Sequence, residues 1–349
     1  MGDIATLRIN SINYKGWKGF SISKSIETIA NAFTLSVTDN WNGEIWPIKP
    51  GDLCEVFLSD ELLITGYVDE VQTSVSKDER TIEVTGRDKT SDLVDCSIDG
   101  IGPQFSGLKF EKLCEKLCAA FGITVENLAD TGAVIPMVRA SVGETCFEIL
   151  EKRARQKGLL LTSSPDGKLR ISEPGKTYAV SGLEQGENIL SCSSNFSQKD
   201  RFSSYKIKAQ NGFDENGTGG FQTIGRSSDP NIPRYRPLVI SAENAMTNSE
   251  AKKRAEYEAI TRAARAVKVS VTVPGFRQRD NSFWKENQII KTNAPSIGVI
   301  NEELLISDIT YACDENGSTT AFGLKRKDAF IAVPEVSKKD ELSIGMDSE

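Results

Sequence analysis

Histidine is absent from the 349-residue chain. That removes Ser-His-Asp and Cys-His catalysis, HExxH metal sites and any histidine-based pH switch. Cysteine is sparse: seven residues, an odd number, with no CxxC spacing, the usage of reduced thiols rather than of a disulfide framework. No apolar run approaches the roughly 18 residues of a membrane-spanning helix, so no membrane anchor is expected. The opening MGDIATLRIN has neither a basic n-region nor an apolar core, and no secretory signal is expected. It fits the short Met1-Gly2-x-x-x-Thr6 lipidation pattern, which is too loose to carry that reading. A basic excess is missing as well. Lys+Arg total 42 against 49 Asp+Glu, a net charge of −7, which argues against nucleic-acid binding by the chain as a whole. No phosphate-cradling loop is present, because Gly100-x-Gly102 runs into Pro103 and is denied a helix N-terminus.

What is there is ordinary folding material: 38% hydrophobic residues, 28 glycines and length for roughly two to four domains. Residues 31–41 alternate through Phe33, Leu35 and Val37, the period of a half-buried strand. Further strands follow from Leu53, Leu62 and Thr81, with a Pro50-Gly51-Asp52 turn and a polar tip at Ser76-KDER. Turn signals at about 8–12-residue spacing favour a small barrel or sandwich. Beyond residue 100, Leu113, Leu117 and Phe121 share a helix face that stops at Gly122. A second helix, opened by the capping-box spacing Ser141–Glu144, is expected to run to Gly158, followed by a hairpin turning at Pro165-Asp166-Gly167. Strands return from Ile189 and Ser204, and a Gly/Asn-rich loop occupies 211–220. Thr247–Glu250 caps an alanine-rich helix, and Val267-KVSVTV is an alternating strand.

Two stretches about 240 residues apart resemble each other. Glu61-LLITGYVDEV and Glu303-LLISDITYACD each lead through a polar tip into an alternating strand that ends in a basic–acidic cluster. Upstream, each has an alternating strand and then a tryptophan, Trp46 or Trp284. A duplicated β-module accounts for this order better than chance. The expected fold is α+β and β-rich: two similar small antiparallel β-barrels with inserted α+β and helix-containing domains. The expected divisions are 1–100 for the first barrel and 101–180 for the α+β domain. Residues 181–215 with 267–333 make the second barrel, 216–266 an inserted unit and 334–349 a polar acidic tail. Three copies of such a chain would present six similar modules in a ring.

Candidate chemical sites reduce to structural ones. Cys114 and Cys118 lie at i, i+4, but beside Leu113 and Leu117 they read as core. The Asp-Glu-Asn-Gly strings at 214–217 and 314–317 lack the calcium-loop pattern and read as hairpin tips, with Asn-Gly favouring a type I′ turn. The 49 carboxylates single out no acid–base pair, so catalytic residues, metal ligands and cofactor-binding residues are all expected to be none. Residues 250–279 hold a basic cluster (Lys252-Lys253-Arg254, Arg262, Arg265, Lys268, Arg277, Arg279), read as a solvated helix face or a subunit contact.

Gly66-Tyr67-Val68-Asp69, followed by Val84-Thr-Gly86-Arg87-Asp88-Lys89-Thr90-Ser-Asp92-Leu93-Val94-Asp95-Cys96-Ser97, resembles the signature of the baseplate hub proteins of Mu-like contractile-tail phages. Later modules agree in order, from Phe121-Gly122-Ile123 through Gly143-Glu144 and Val267-KVSVTVPG to Leu304-LISDITY. Trp284-KENQ departs from it, since a glycine is expected near the Asn287 turn. The resemblance implies a structural virion protein without cofactor or enzymatic activity, assembled in the bacterial host cytoplasm. It implies a homotrimer whose six modules adapt a hexameric tail tube to a trimeric central spike, alongside other baseplate proteins, with DNA passing through unbound. Gly86, Arg87, Asp88, Asp92, Leu93, Val94 and Asp95 are its signature residues here. Arg87 is expected to pin its corner through Asp92, Asp95 or another subunit. The competing reading is a tail-associated carbohydrate-active protein, peptidoglycan-degrading or sugar-binding.

Overall fold

In the first quarter of the chain, alternating burial selects strands. The computed structural model describes residues 3–39, 47–77, 80–99, 102, 104–210, 222–242 and 246–334. Seven strands come first: β1 (Ala5–Ile9), β2 (Ile12–Tyr14), β3 (Gly19–Ser25), β4 (Ala32–Asp39), β5 (Leu53–Leu58), β6 (Glu61–Val75) and β7 (Arg80–Asp88). Phe33 and Leu35 on β4 and Ile82 and Val84 on β7 point into one core. A short helix, α1 (Ser91–Asp95), leads out of this layer.

The α+β layer holds β8 (Gln104–Leu108), α2 (Phe110–Cys118), β9 (Val125–Asn127), β10 (Ile135–Arg139), α3 (Cys146–Lys157), β11 (Leu160–Ser163) and β12 (Leu169–Ser172). Leu113, Cys114, Leu117 and Cys118 are all fully buried, so the two cysteines serve as core. The start of α3 differs from expectation. Glu144 does accept from the Ser141 amide at 2.8 Å, but the helix opens four residues later. There Thr145 and Glu148 exchange both capping-box bonds, and a cap works only where the N3 amide already has helical geometry. The expected hairpin is β11–β12, and β9 adds to it in parallel.

The remaining elements are β13 (Thr177–Tyr178), β14 (Leu183–Glu184), β15 (Ser191–Phe196), β16 (Ser204–Gln210), β17 (Gln222–Ser228), β18 (Pro237–Ser241), α4 (Asn248–Arg265), β19 (Val267–Pro274), β20 (Gln288–Ala294), β21 (Val299–Asp314) and β22 (Gly317–Lys325). The strand at 204–210, assigned from sequence to the second barrel, instead forms the centre of a three-stranded sheet, β17-β16-β18. Its buried Tyr205 and Ile207 need the alanine face of α4, where Ala251 and Ala255 let helix and sheet approach closely. A Cβ on Gly225 would stand 2.0 Å from the Ala251 backbone. The Thr247–Glu250 capping box is present as expected.

A 14-stranded sheet carries the main path β15-β19-β22-β21-β3-β4-β7-β6-β5-β1-β2, and β20 pairs with β21, β13 and β14. The chain is thus α+β and strand-rich, with several sheets. Within the large sheet the order β4-β7-β6-β5 is repeated as β19-β22-β21-β20. Each copy has a long strand whose first half pairs with one neighbour and whose second half pairs with its hairpin partner beyond a bulge. The register differs from the one the repeated ELLI string suggests. The bulges equate Val68 with Ile306, whereas the string equates Ile64 with Ile306. Trp284 is buried in the shared core; Trp46, the 211–220 loop, the Asp214–Gly217 string and the tail after Pro334 lie outside the described residues.

The Asp314–Gly317 string is a hairpin tip, though not a type I′ turn. Neither Glu315 nor Asn316 has positive φ; Gly317 carries it, and the Asn316 amide donates to the Asp314 carboxylate at 2.7 Å. Asn287 resolves the other departure. It adopts φ +64 itself, accepts from the Gly175 amide at 2.8 Å and donates to the Glu173 carbonyl at 3.0 Å, so asparagine stands where glycine is expected.

Candidate functional site

The signature residues gather where β7 leaves the large sheet. Gly66 and Gly86 lie on facing strands, opposite Asp88 and Val68 respectively. A Cβ on Gly66 would fall 1.9 Å from the Arg87 carbonyl oxygen. One on Gly86 would fall 2.3 Å from the Tyr67 carbonyl oxygen and 2.5 Å from the Phe33 ring. Both glycines therefore permit a close strand approach that no other residue fits.

Beside them Arg87 bridges two carboxylates. Its Nε donates to Asp69 at 2.8 Å and its Nη2 to Asp95 at 2.7 Å, tying the bulge of β6 to the end of α1. The Arg87 hydrogen bond holds Asp95 below the usual carboxylate range, and the two carboxylates raise the guanidinium. Asp92 makes no such bond; burial, then the Asp95 charge, pushes it up. All three paired side chains are a third or more exposed, so this is a surface clamp.

Asp88 faces the other way and is wholly buried. It accepts from the Asn31 amide at 2.8 Å and the Thr90 hydroxyl at 2.6 Å. Burial pushes its carboxyl up to about 6 against the pull of those bonds and of Ser163. Leu93, also fully buried, plugs into the α+β core beside Phe110 and Leu150, and Val94 packs at its margin. The signature thus anchors one layer to the next. Asp69 stands in the signature string, but its pairing with Arg87 escaped the sequence reading because only the bulge brings the two together.

The two halves of the large sheet meet where β21 pairs with β3, from Asp308 opposite Ser25 to Cys313 opposite Phe20. Ser25 donates to Asp308 at 2.6 Å. Behind the seam, Lys24 and Glu286 form a buried ion pair at 2.8 Å; burial raises Glu286, but the Lys24 charge and hydrogen bond, with a backbone hydrogen bond and Arg170, together bring it below its ordinary value. By the repeat, β3 corresponds to β15 and β21 to β6. Among the described residues β15 pairs only with β19, and residues 70–75 of β6 only with β7. These two edges are open, and they carry exposed Val75 and Phe196. Sequence gave no sign of them, because an edge is defined by its missing neighbour.

The basic cluster that runs from α4 to Arg279 is largely neutralised within the chain. Arg254 and Arg262 both donate to Glu258, and Arg277 donates to Asp3. No described group of His, Cys, Asp or Glu is arranged to hold a metal ion, and no described helix is long and apolar enough to cross a membrane.

Two solved structures with this architecture are described as tail proteins. The 43 kDa tail protein of prophage MuSo2 from Shewanella oneidensis is 33% identical, with a TM-score of 0.85 over 94% of this chain and 99% of that one. The tail protein from Neisseria meningitidis MC58 shares the fold at 20% identity, with a TM-score of 0.77 over 95% and 98%. Residues 4–88 match the family described as Mu phage baseplate assembly protein GpP-like, N-terminal. Residues 90–173 match the second domain of baseplate hub protein gp44-like, and 247–333 the fourth domain of GpP. The baseplate hub protein gp44 of Escherichia phage Mu is 30% identical over 97% of this chain and 92% of that protein. The chain belongs to this family of Mu-type baseplate hub proteins and is a structural component of a phage tail.

Proposed function

We propose that three copies close into a ring by adding β15 of one protomer to residues 70–75 of β6 in the next. One observation carries this: the β3–β21 seam inside the chain is made by the strands that correspond to those two open edges. Repeating that seam between copies sets Val71 opposite Phe196 of the partner subunit and Val75 opposite Cys192 of the partner subunit. Each copy supplies two modules, so three copies give a six-module ring, a match on one side for a hexameric tail tube and on the other for a trimeric spike. Each new seam would hide an open strand edge, which otherwise invites unspecific pairing. In this reading the hub works through interfaces rather than catalysis, and its net charge of −7 suits a wall that DNA passes without binding. The host cytoplasm is then where it folds and assembles.

Sedimentation equilibrium tests the ring. The expected mass is three times 38.2 kDa at micromolar concentration. Val75→Lys combined with Phe196→Lys places charge on both edges and should give a folded monomer with unchanged far-UV circular dichroism. A wild-type monomer, or a double variant that stays trimeric, overturns the proposal.

A further inference from the structure

The geometry points to a redox site that the hub function does not use. Cys96 caps α1 in extended conformation, and Cys146 is the first residue of α3. Between them Ser97 and Thr145 form an isolated antiparallel bridge, and the Cys146 amide donates to the Cys96 carbonyl at 3.3 Å. These two facts set Cys96 and Cys146 directly opposite each other with one backbone hydrogen bond between them, the Cys96 amide donating instead to the Asp92 carbonyl. Directly opposed antiparallel residues hold their Cα atoms roughly 4.5–5.5 Å apart. A disulfide accepts roughly 4.4–6.8 Å. Both thiols are free; Cys146 is buried and Cys96 half-buried. Burial, and then the proximity of Cys96, raises the Cys146 thiol.

We propose that Cys96 and Cys146 form a reversible disulfide that staples the end of the corner helix to the start of α3. The oxidant is a low-molecular-weight disulfide, RSSR. The more accessible Cys96 thiolate attacks it, forming a mixed disulfide and expelling one RS⁻. The Cys146 thiolate then attacks Cys96 Sγ, closing the protein disulfide and expelling the second RS⁻. The two thiol protons end on two RSH, so the protein loses two electrons and RSSR gains them. A virion component carried out of a reducing cell meets this oxidant only outside. The bond would close the loop containing α2 and brace the α+β layer against the anchor formed by Leu93.

Incubation with oxidised glutathione, quenching with iodoacetamide and peptide mapping tests this on the unaltered protein. The expected result is a Cys96–Cys146 linked peptide, a loss of two hydrogen masses, reversal by dithiothreitol and a rise in Tm of roughly 5 °C. Cys96→Ser and Cys146→Ser should each abolish the linkage. A link from Cys146 to its neighbour Cys118, a glutathione adduct stalled on Cys96, or alkylation of both thiols after oxidation overturns the proposal.

Discussion

The two halves of the large sheet share a strand order but solve its tightest point in opposite ways. In the first half Phe33 lies opposite Gly86; at the equivalent place in the second half Val269 lies opposite Leu324. One pair is large against nothing, the other two medium aliphatics. The residues at the bulges diverge as well. Asp69 is held by Arg87, which also reaches α1, whereas Asp308 accepts from Ser25 across the seam. The lesson is that a duplicated framework can keep its hydrogen-bond ladder while one copy turns its bulge toward the next layer and the other toward the next module.

Exchanging the two solutions is the harshest test of this. Gly86→Leu should cost about 3 kcal/mol in urea unfolding, because its Cβ meets both the Tyr67 carbonyl and the Phe33 ring. Adding Phe33→Val, to rebuild the second-half pair, should recover less than half of that, since the carbonyl contact is backbone and stays. Full recovery would show that the two halves share one strand spacing and differ in side chains alone.

A smaller effect separates Asp88 from its counterpart. The equivalent position holds Arg326, paired with Glu302 at 3.1 Å near the surface, whereas Asp88 is buried without a cation. With its carboxyl raised to about 6, folded Asp88 holds its proton more tightly than the unfolded chain does. Its contribution to stability is therefore fully present below the unfolded value near 3.9 and is lost as pH rises through about 6. Relative to Asp88→Asn, the wild type should gain about 1 kcal/mol between pH 7 and pH 5. Parallel stability curves for the two proteins would place that carboxyl in an ordinary, solvated setting.

The contrast also explains what was legible in the sequence. Strand alternation, the Leu113–Leu117 helix face and the Thr247 cap are local patterns, and each is where the sequence puts it. The signature string marked the corner because Gly86, Arg87, Asp88 and Leu93 lie close along the chain, and β6 brings Gly66 to them. The Ser204–Gln210 strand was placed in the wrong sheet because pairing is non-local and its alternation fits either sheet. The ELLI repeat marked a true duplication in a false register, since a bulge shifts alignment without leaving a mark in hydrophobic period. The Asp69–Arg87 pair, the seam and the open edges became visible only when strands were set side by side.

The smallest expected effect concerns Arg87. Its pairs with Asp69 and Asp95 are solvent-screened, so Arg87→Ala should lower stability by less than about 1 kcal/mol and leave far-UV circular dichroism unchanged. Yet Asp69 is the residue at which β6 bends just before its open edge begins at Glu70. In the proposed ring, freeing that bulge should weaken association of the protomers more than it weakens the fold, measurable as a several-fold rise in the dissociation constant of the proposed trimer. Added salt should reduce the wild-type advantage, because it screens the same clamp. A variant that loses more than about 2 kcal/mol with its association intact would reverse the assignment, making Arg87 part of what holds the first half together rather than what aims its edge.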